Sequence, residues 1–178
     1  MKGFPKVMPQ VGCLVALPGT QEVADFLPVL ALFEGTCVEM AAERATDQSV
    51  DGLKRLVTEI MAVDDGQLDA EQLAHAFRLH DRVVHQRLYS IAHSDIVSSL
   101  VVGPSDRADL YIANAFGAHS FSFRFHHALE EHRRIADVLS WRDPAAGRRV
   151  IKSHQVSFIE ALGLAAQDWE QGIRRPCD

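Results

Sequence analysis

Four polar side chains stand inside the apolar stripes of three predicted helices. Asp81 and His85 fall on one flank of a stripe, and His132 and His154 lie within the stripes of two later segments. Because an ionised carboxylate is costly to bury unless it is paired or coordinates a metal, Asp81 needs an inward-facing partner. Residues four apart share one helical face, so Asp81 and His85 can chelate a single ion. One imidazole from each of the two other helices would complete an Asp-plus-three-His set.

The chemistry of this set depends on a geometry that spacing alone leaves open. An Asp with three His suits zinc or another mid-to-late first-row divalent ion. A tetrahedral array would make a closed structural site, whereas an octahedral one would leave two positions for water or a ligand. Each piece also has an ordinary explanation, since a lone Asp-x-x-x-His is commonly a capping or salt-bridging pair. A single inward histidine is more often hydrogen-bonded within a core than bound to a metal.

Six helical segments position these residues. Apolar residues recur at helical spacing, with turn signals such as "LPGT" and "RDPAAG" between the segments. We predict helices over about 21–44, 49–63, 69–92, 95–116, 120–141 and 147–164, the fourth with a weak point at Gly103-Pro104. Alternating apolar periodicity returns nowhere outside the N-terminal segment. The sequence therefore predicts an all-α body.

Composition excludes several classes of protein. The 178 residues fit one domain, and 47% apolar with 24% charged residues is an ordinary globular composition. A net charge of -6 gives no basic footprint for nucleic acid. Cys13, Cys37 and Cys177 are widely spaced without a CxxC, which indicates neither a disulfide framework nor a thiolate zinc site. No apolar run is long enough to span a bilayer. We expect a cytoplasmic protein without membrane contact.

The N-terminal stretch "KVMPQVGCLVA" is the exception to the helical pattern. Two short apolar runs joined by a turn are typical of a β-hairpin. An isolated two-stranded ribbon is at best marginally stable in water. We therefore expect this segment to belong to something other than the helical body.

Three stretches resemble a known family. They are "LFEGTCVEMAAERATDQSVDGL", "LHDRVVHQRLYSIAHSDIV" and "ALEEHRRIADVLSWRDPAAGRRVIKSH", which match in order and spacing over about residues 22–162. The family is the C-terminal effector-binding and dimerisation (FCD) domain of FadR-type GntR transcriptional regulators. Its members are antiparallel bundles of six or seven helices around a central cavity. The resemblance implies that fold here, a homodimer, and a function in transcription regulation.

The resemblance also implies a metal and an effector. Many members hold a divalent ion on one Asp and three His, which correspond to Asp81, His85, His132 and His154, the four residues that the stripes select. The ion implied is most often Zn2+, with Ni2+ or Mn2+ as alternatives. Members of this metal-binding branch are thought to sense small organic acids, whose carboxylate completes the coordination of the metal.

Effector contacts are expected from Arg107, Arg124 and Asn114. Arg124 matches a frequent family arginine eight residues before His132, and Arg107 could reach a cavity from the fourth helix. One departure is Leu30, which stands where the family often has an arginine four residues before the glutamate of the first helix. The loss of that carboxylate clamp puts a standard small hydroxy- or dicarboxylate effector in doubt.

The resemblance gives the N-terminal hairpin a meaning. Residues 1–20 look like the wing and linker of a winged helix-turn-helix domain, 21–164 the helical effector-binding domain, and 165–178 a C-terminal tail. The recognition helix that should precede the wing is missing from this sequence. We therefore expect DNA contact only through a winged-helix domain that this chain does not contain.

Two alternative functions remain at the level of sequence. A helical metal-dependent hydrolase would use the ion to activate water and needs a nearby general base. Glu130 and Glu131 adjoin His132 but are predicted to project away from its face, so no base stands out. The second alternative is a truncated partner that only dimerises with full-length regulators. The leading hypothesis is a metal-dependent effector-sensing domain without enzymatic activity.

Overall fold

The computed structural model describes residues 6–8, 12–14, 17–62, 66 and 68–164. Helices dominate this part of the chain, which confirms the prediction of an all-α bundle. Their bounds are α1 Thr20–Arg44, α2 Asp47–Met61, α3 Ala70–Ile91, α4 Asp95–Phe116, α5 Phe125–Leu139 and α6 Pro144–Ala161, with a 3-10 helix at Ala118–Arg124 between α4 and α5.

Two three-residue strands precede the bundle. Strand β1, Lys6–Met8, pairs antiparallel with β2, Gly12–Leu14, with Val7 opposite Cys13. The interpretation of this segment as part of a wing stays a prediction. The predicted tail, 165–178, lies outside the described residues.

Side-chain caps explain where the helices begin. At α2, Thr46 Oγ1 accepts from the Ser49 amide at 3.1 Å and Ser49 Oγ accepts from the Thr46 amide at 2.9 Å, which is a reciprocal capping box. At α6, Asp143 Oδ1 accepts from the Ala146 amide at 3.0 Å. Proline is well tolerated in the first helical turn, so α6 begins at Pro144, three residues before the predicted start.

The region before α5 differs from the sequence prediction. A single helix was expected over 120–141, but α5 begins at Phe125 and residues Ala118–Arg124 form the 3-10 helix. By contrast, α4 continues without interruption through Gly103 and Pro104. The 3-10 helix packs against α3 and α4, and it brings the buried ring of Phe121 into the core.

Helix α1 is the central packing element. It contacts α3, α4 and α6, and its buried face carries Leu27, Leu30, Glu34, Cys37 and Val38 among others. Of the described helices, none is both long enough and apolar enough to cross a bilayer. The apolar side chains of all six helices join in one contiguous core.

Helices α1 and α6 approach each other closely at Gly147. A Cβ added there would lie 3.0 Å from Ala42 Cβ and 3.1 Å from the Val38 carbonyl oxygen. In contrast, a Cβ added at Gly35, in the same helix pair, would meet only Arg148 Cγ at 3.8 Å. The absence of a side chain at Gly147 therefore sets the distance between the two helices.

We predict that Gly147→Ala lowers the free energy of unfolding by about 1 kcal/mol. An overpacking cost of about 2 kcal/mol exceeds the gain of about 1 kcal/mol in helix propensity. Gly35→Ala is the matched control and should raise the stability by about 0.5–1 kcal/mol. Urea denaturation followed by circular dichroism measures both. A stabilising Gly147→Ala would contradict the close approach of α1 and α6.

Candidate metal centre

The four predicted ligand residues meet at one point inside the bundle. Helix α3 supplies two of them, and α5 and α6 supply one each. One ligand atom from each residue can be chosen so that all lie within 4.8 Å of one another. We call this group the Asp–His cluster; its members are Asp81, His85, His132 and His154.

The distances in the Asp–His cluster fit a single ion. His85 Nε2 lies 3.3 Å from His154 Nε2 and 3.7 Å from Asp81 Oδ1. His132 Nε2 lies 3.2 Å from Asp81 Oδ1. Two ligand atoms that each lie about 2.0–2.2 Å from one zinc ion are separated by about 3–4 Å. These side chains are therefore spaced as ligands of one metal would be.

The surroundings of His132 independently indicate that the cluster binds a metal. Its ring is 1% exposed, and neither Nδ1 nor Nε2 has a hydrogen-bond partner among the described residues. The carboxylate oxygen that faces Nε2, Asp81 Oδ1 at 3.2 Å, is itself a member of the Asp–His cluster. Buried polar atoms in proteins are normally paired, so an unpaired imidazole nitrogen aimed at a carboxylate and two other imidazoles suits a metal. The residues present fit a mid-to-late first-row divalent ion.

A buried carboxylate holds the ring of His154. Glu131 Oε2 lies 2.9 Å from His154 Nδ1 and accepts a hydrogen bond from Arg124 Nη2 at 2.8 Å. Burial opposes ionisation of Glu131, but the hydrogen bonds and charges supplied by His154, Ser157 and Arg124 together outweigh it and lower the pKa of the carboxyl to about 2. A carboxylate on the far nitrogen of a ligand histidine fixes its tautomer and orientation.

This position of Glu131 corrects the sequence prediction that it projects away from the site. Glu131 is 9% exposed, whereas its neighbour Glu130 is half-buried and pairs with Arg133. The sequence does indicate that Glu131 is buried, because it shares the i, i+3, i+7 spacing of the buried residues Ala128 and Ile135. The apolar stripe of α5 is wider than a projection centred on His132 suggested.

A second buried carboxylate, which sequence reasoning did not place in the site, lies behind His85. Glu34 is 2% exposed, and its Oε1 lies 3.5 Å from His85 Nδ1. It accepts hydrogen bonds from Tyr89 Oη at 2.5 Å, from Ser105 Oγ at 3.2 Å and from Gln155 Nε2. The sequence feature that could have identified it is the position of this glutamate among the buried residues of α1.

The electrostatic environment shifts the pKa values of His85 and His132 in opposite directions. Burial disfavours the charged form of His85, but the nearby carboxylates of Asp81 and Glu34 outweigh it and raise the His85 pKa to about 9. Burial lowers the pKa of His132 to about 4. His132 is therefore neutral at pH 7 and ready to donate a lone pair. A metal bound by His85 at the same pH displaces a proton.

The Asp–His cluster opens onto a cavity in the bundle. This cavity is partly open to solvent. Asp81, His85 and His154 line it on one side. Much of the remaining wall is apolar and comes from α1, α3, α4, α6 and the 3-10 helix; it includes Leu27, Leu30, Phe77, Val102, Ile112, Phe121 and Phe158.

The structure does not bring the three predicted effector contacts to this cavity. Arg124 is buried, but its guanidinium donates to Glu131 and to the Ser157 carbonyl. Arg107 and Asn114 are exposed on α4, and Asn114 Nδ2 donates to the Pro18 carbonyl at 3.3 Å. None of the three is among the residues that line the cavity.

Comparisons with known proteins agree with the fold. A family model described as the FCD domain matches residues 25–157, well over half of the chain. Among solved structures, E. coli McbR/YncC is similar with a TM-score of 0.63 and 13% sequence identity, over 89% of this chain and 76% of that chain. At this identity the similarity concerns the fold alone. No curated protein sequence matches the chain.

We predict that Glu131→Gln weakens zinc binding about 10–100-fold, the usual cost of losing such an outer partner. The amide keeps the size of the side chain but removes the charge that orients His154. Glu130→Gln is the matched control on the exposed side of α5 and should leave the affinity unchanged. Competition titration with a chromophoric chelator measures both. Equal affinities of the two variants would show that Glu131 does not support the centre.

Proposed function

Because the chain belongs to the FCD domain family, the ligand-sensing and dimerisation domains of GntR-type transcription regulators, we propose that it senses a small organic acid at a divalent metal. The observation that carries this proposal is the Asp–His cluster opening onto a largely apolar cavity. When bound, the metal supplies a Lewis-acidic position for a carboxylate oxygen. Zinc fits the donor set best, with nickel and manganese as alternatives.

The residues of the chain have separate tasks in this proposal. The Asp–His cluster holds the ion. Glu131 orients the His154 ring directly, and Glu34 orients the His85 ring through the hydroxyl of Tyr89. The apolar walls exclude water and contact the body of the ligand. Because these walls come from several helices, a bound ligand favours one arrangement of the bundle over another. In a regulator, that population shift changes the geometry presented to attached or partner domains.

A sensing function is better supported than hydrolysis. A hydrolase needs a carboxylate or histidine free to take a proton from water. The carboxylate of Glu131 is engaged by Arg124 and His154, and that of Glu34 by Tyr89 and Gln155. The other two acids of the cavity wall, Asp106 and Asp109, face the guanidinium of Arg82. Turnover of esters, amides or phosphoesters that is lost in His132→Ala would favour the enzyme.

An exposed apolar surface supports the proposed homodimer. Helices α1 and α4 run antiparallel, since Phe26 lies 5.5 Å from Tyr111 between ring centroids and Glu34 contacts Ser105. Their outer sides form what we call the α1–α4 face, whose large apolar members are Val29, Leu32, Phe33, Ile96, Leu100 and Leu110. A patch of this kind on a soluble domain marks an interaction site. We propose a second copy of the chain as its partner.

We predict one divalent ion per purified chain. Chelation should lower the melting temperature by about 10 °C, because an ion at about 1,000 times its dissociation constant adds about 4 kcal/mol of stability. His85→Ala should lose the ion and the chelator effect, whereas His75→Ala, an exposed position on the same helix, should keep both. Elemental analysis and thermal unfolding provide the measurements. A metal-free chain that is insensitive to chelator would leave the cluster as a buried polar network.

We predict that Leu32→Glu converts a dimer into a monomer. A charge in the middle of the α1–α4 face cannot be buried against the same charge of a second copy. Leu79→Glu is the matched control, because Leu79 is 50% exposed on α3 and Leu32 is 41% exposed on α1. Sedimentation velocity of both variants and the parent chain tests the surface. A parent chain that is monomeric at micromolar concentration would contradict the proposal.

A further inference from the structure

The cavity has an aromatic wall directly beside the Asp–His cluster. Phe77, Phe121 and Phe158 line the cavity, and their ring centroids lie 5.7–6.2 Å from one another. Phe77 precedes Asp81 by four residues on α3, and Phe158 follows His154 by four residues on α6. Residues four apart are neighbours on one helical face. The wall therefore lies one helical turn from the metal ligands.

The cavity offers little positive charge to a second anionic group. Its ionisable acids are Glu34, Asp81, Asp106 and Asp109. Among the described lining residues, Arg82 is the one arginine or lysine, and it already pairs with carboxylates. Its Nη2 lies 3.1 Å from Asp106 Oδ1 and 3.8 Å from Asp109 Oδ2. A ligand carboxylate away from the metal would meet other carboxylates with no free cation.

Leu30 also disfavours a second carboxylate in the cavity. It is buried in α1, lines the cavity, and lies one turn before Glu34. Burying an anionic group without a counter-charge is costly, whereas burying an apolar group against Leu30 and the phenyl rings is favourable. The cavity thus combines one position for a carboxylate, at the metal, with walls suited to an apolar body.

We infer that the effector is a monocarboxylate with an apolar, aromatic body, and not a di- or tricarboxylate. The inference rests on the proposed metal-dependent sensing function and specifies its ligand class. The carboxylate lies at the metal, and the ring contacts the wall of Phe77, Phe121 and Phe158. Because one helical turn is about 5.4 Å, one or two carbons between ring and carboxylate span the distance. 3-Phenylpropionate is a suitable probe, and succinate is the dicarboxylate of comparable reach.

Calorimetry on the zinc-loaded full chain tests this ligand class. We expect 3-phenylpropionate to bind at least about tenfold more tightly than succinate, since a site built for an apolar group rejects a buried charge. Succinate binding as tightly or more tightly overturns the inference while leaving metal-dependent sensing intact. The inference also fails if the zinc-loaded chain binds neither probe. If the chelated chain binds 3-phenylpropionate as tightly as the zinc-loaded one, the metal has no part in recognition and the proposed function fails.

A pair of variants at Leu30 tests the cause of the preference. Leu30→Arg introduces a guanidinium into the cavity beside Glu34 and should reduce or reverse the preference for 3-phenylpropionate over succinate. Leu30→Met conserves volume and should leave the preference unchanged. Zinc content and circular dichroism of both variants verify that the fold persists. An unchanged preference in a folded Leu30→Arg chain contradicts the role of the wall, and the parent-chain comparison decides the ligand class if that variant does not fold.

Discussion

The cost of burying charge governs the centre of this bundle. Two carboxylates, Glu34 and Glu131, are almost fully removed from solvent, and each is compensated by several donors from different helices. The outer nitrogen of His154 is one of those donors, whereas that of His85 lies 3.1 Å from Tyr89 Oη, which itself donates to Glu34. The inner nitrogens of both rings converge with Asp81 and His132 on one point. Loss of one donor would leave a buried carboxylate less well compensated, so this network couples α1, α3, α4, α5 and α6.

Sequence reasoning located the inner residues of this network better than the outer ones. Asp81, His85, His132 and His154 were identified because each interrupts an apolar stripe, and the structure brings them together. Glu34 also interrupts a stripe, but it was regarded only as a family landmark. The outer contacts depend on how helices turn about their axes relative to one another, which hydrophobic periodicity defines only coarsely.

The six helices were predictable from the sequence. The errors in their predicted boundaries have local causes. The Asp143 cap and Pro144 place the start of α6 three residues before the predicted start. The seven residues before α5 form a 3-10 helix, which the apolar pattern does not distinguish from an α-helix. The expected effector contacts Arg107, Arg124 and Asn114 came from resemblance and from helix position. In the structure their side chains do not point into the cavity. Arg124 donates to Glu131, and Arg107 and Asn114 are exposed.

Helix α1 presents two surfaces within one turn and a half of backbone. Leu30 and Glu34 face the cavity, while Leu32 and Phe33 lie on the outer side. A substitution that alters the proposed ligand preference therefore sits next to residues of the proposed dimer surface. In the proposed dimer, one substitution on α1 would alter ligand recognition and pairing together, so relatives that recognise different compounds would also differ in pairing. Such coupling would insulate duplicated regulators from forming mixed dimers.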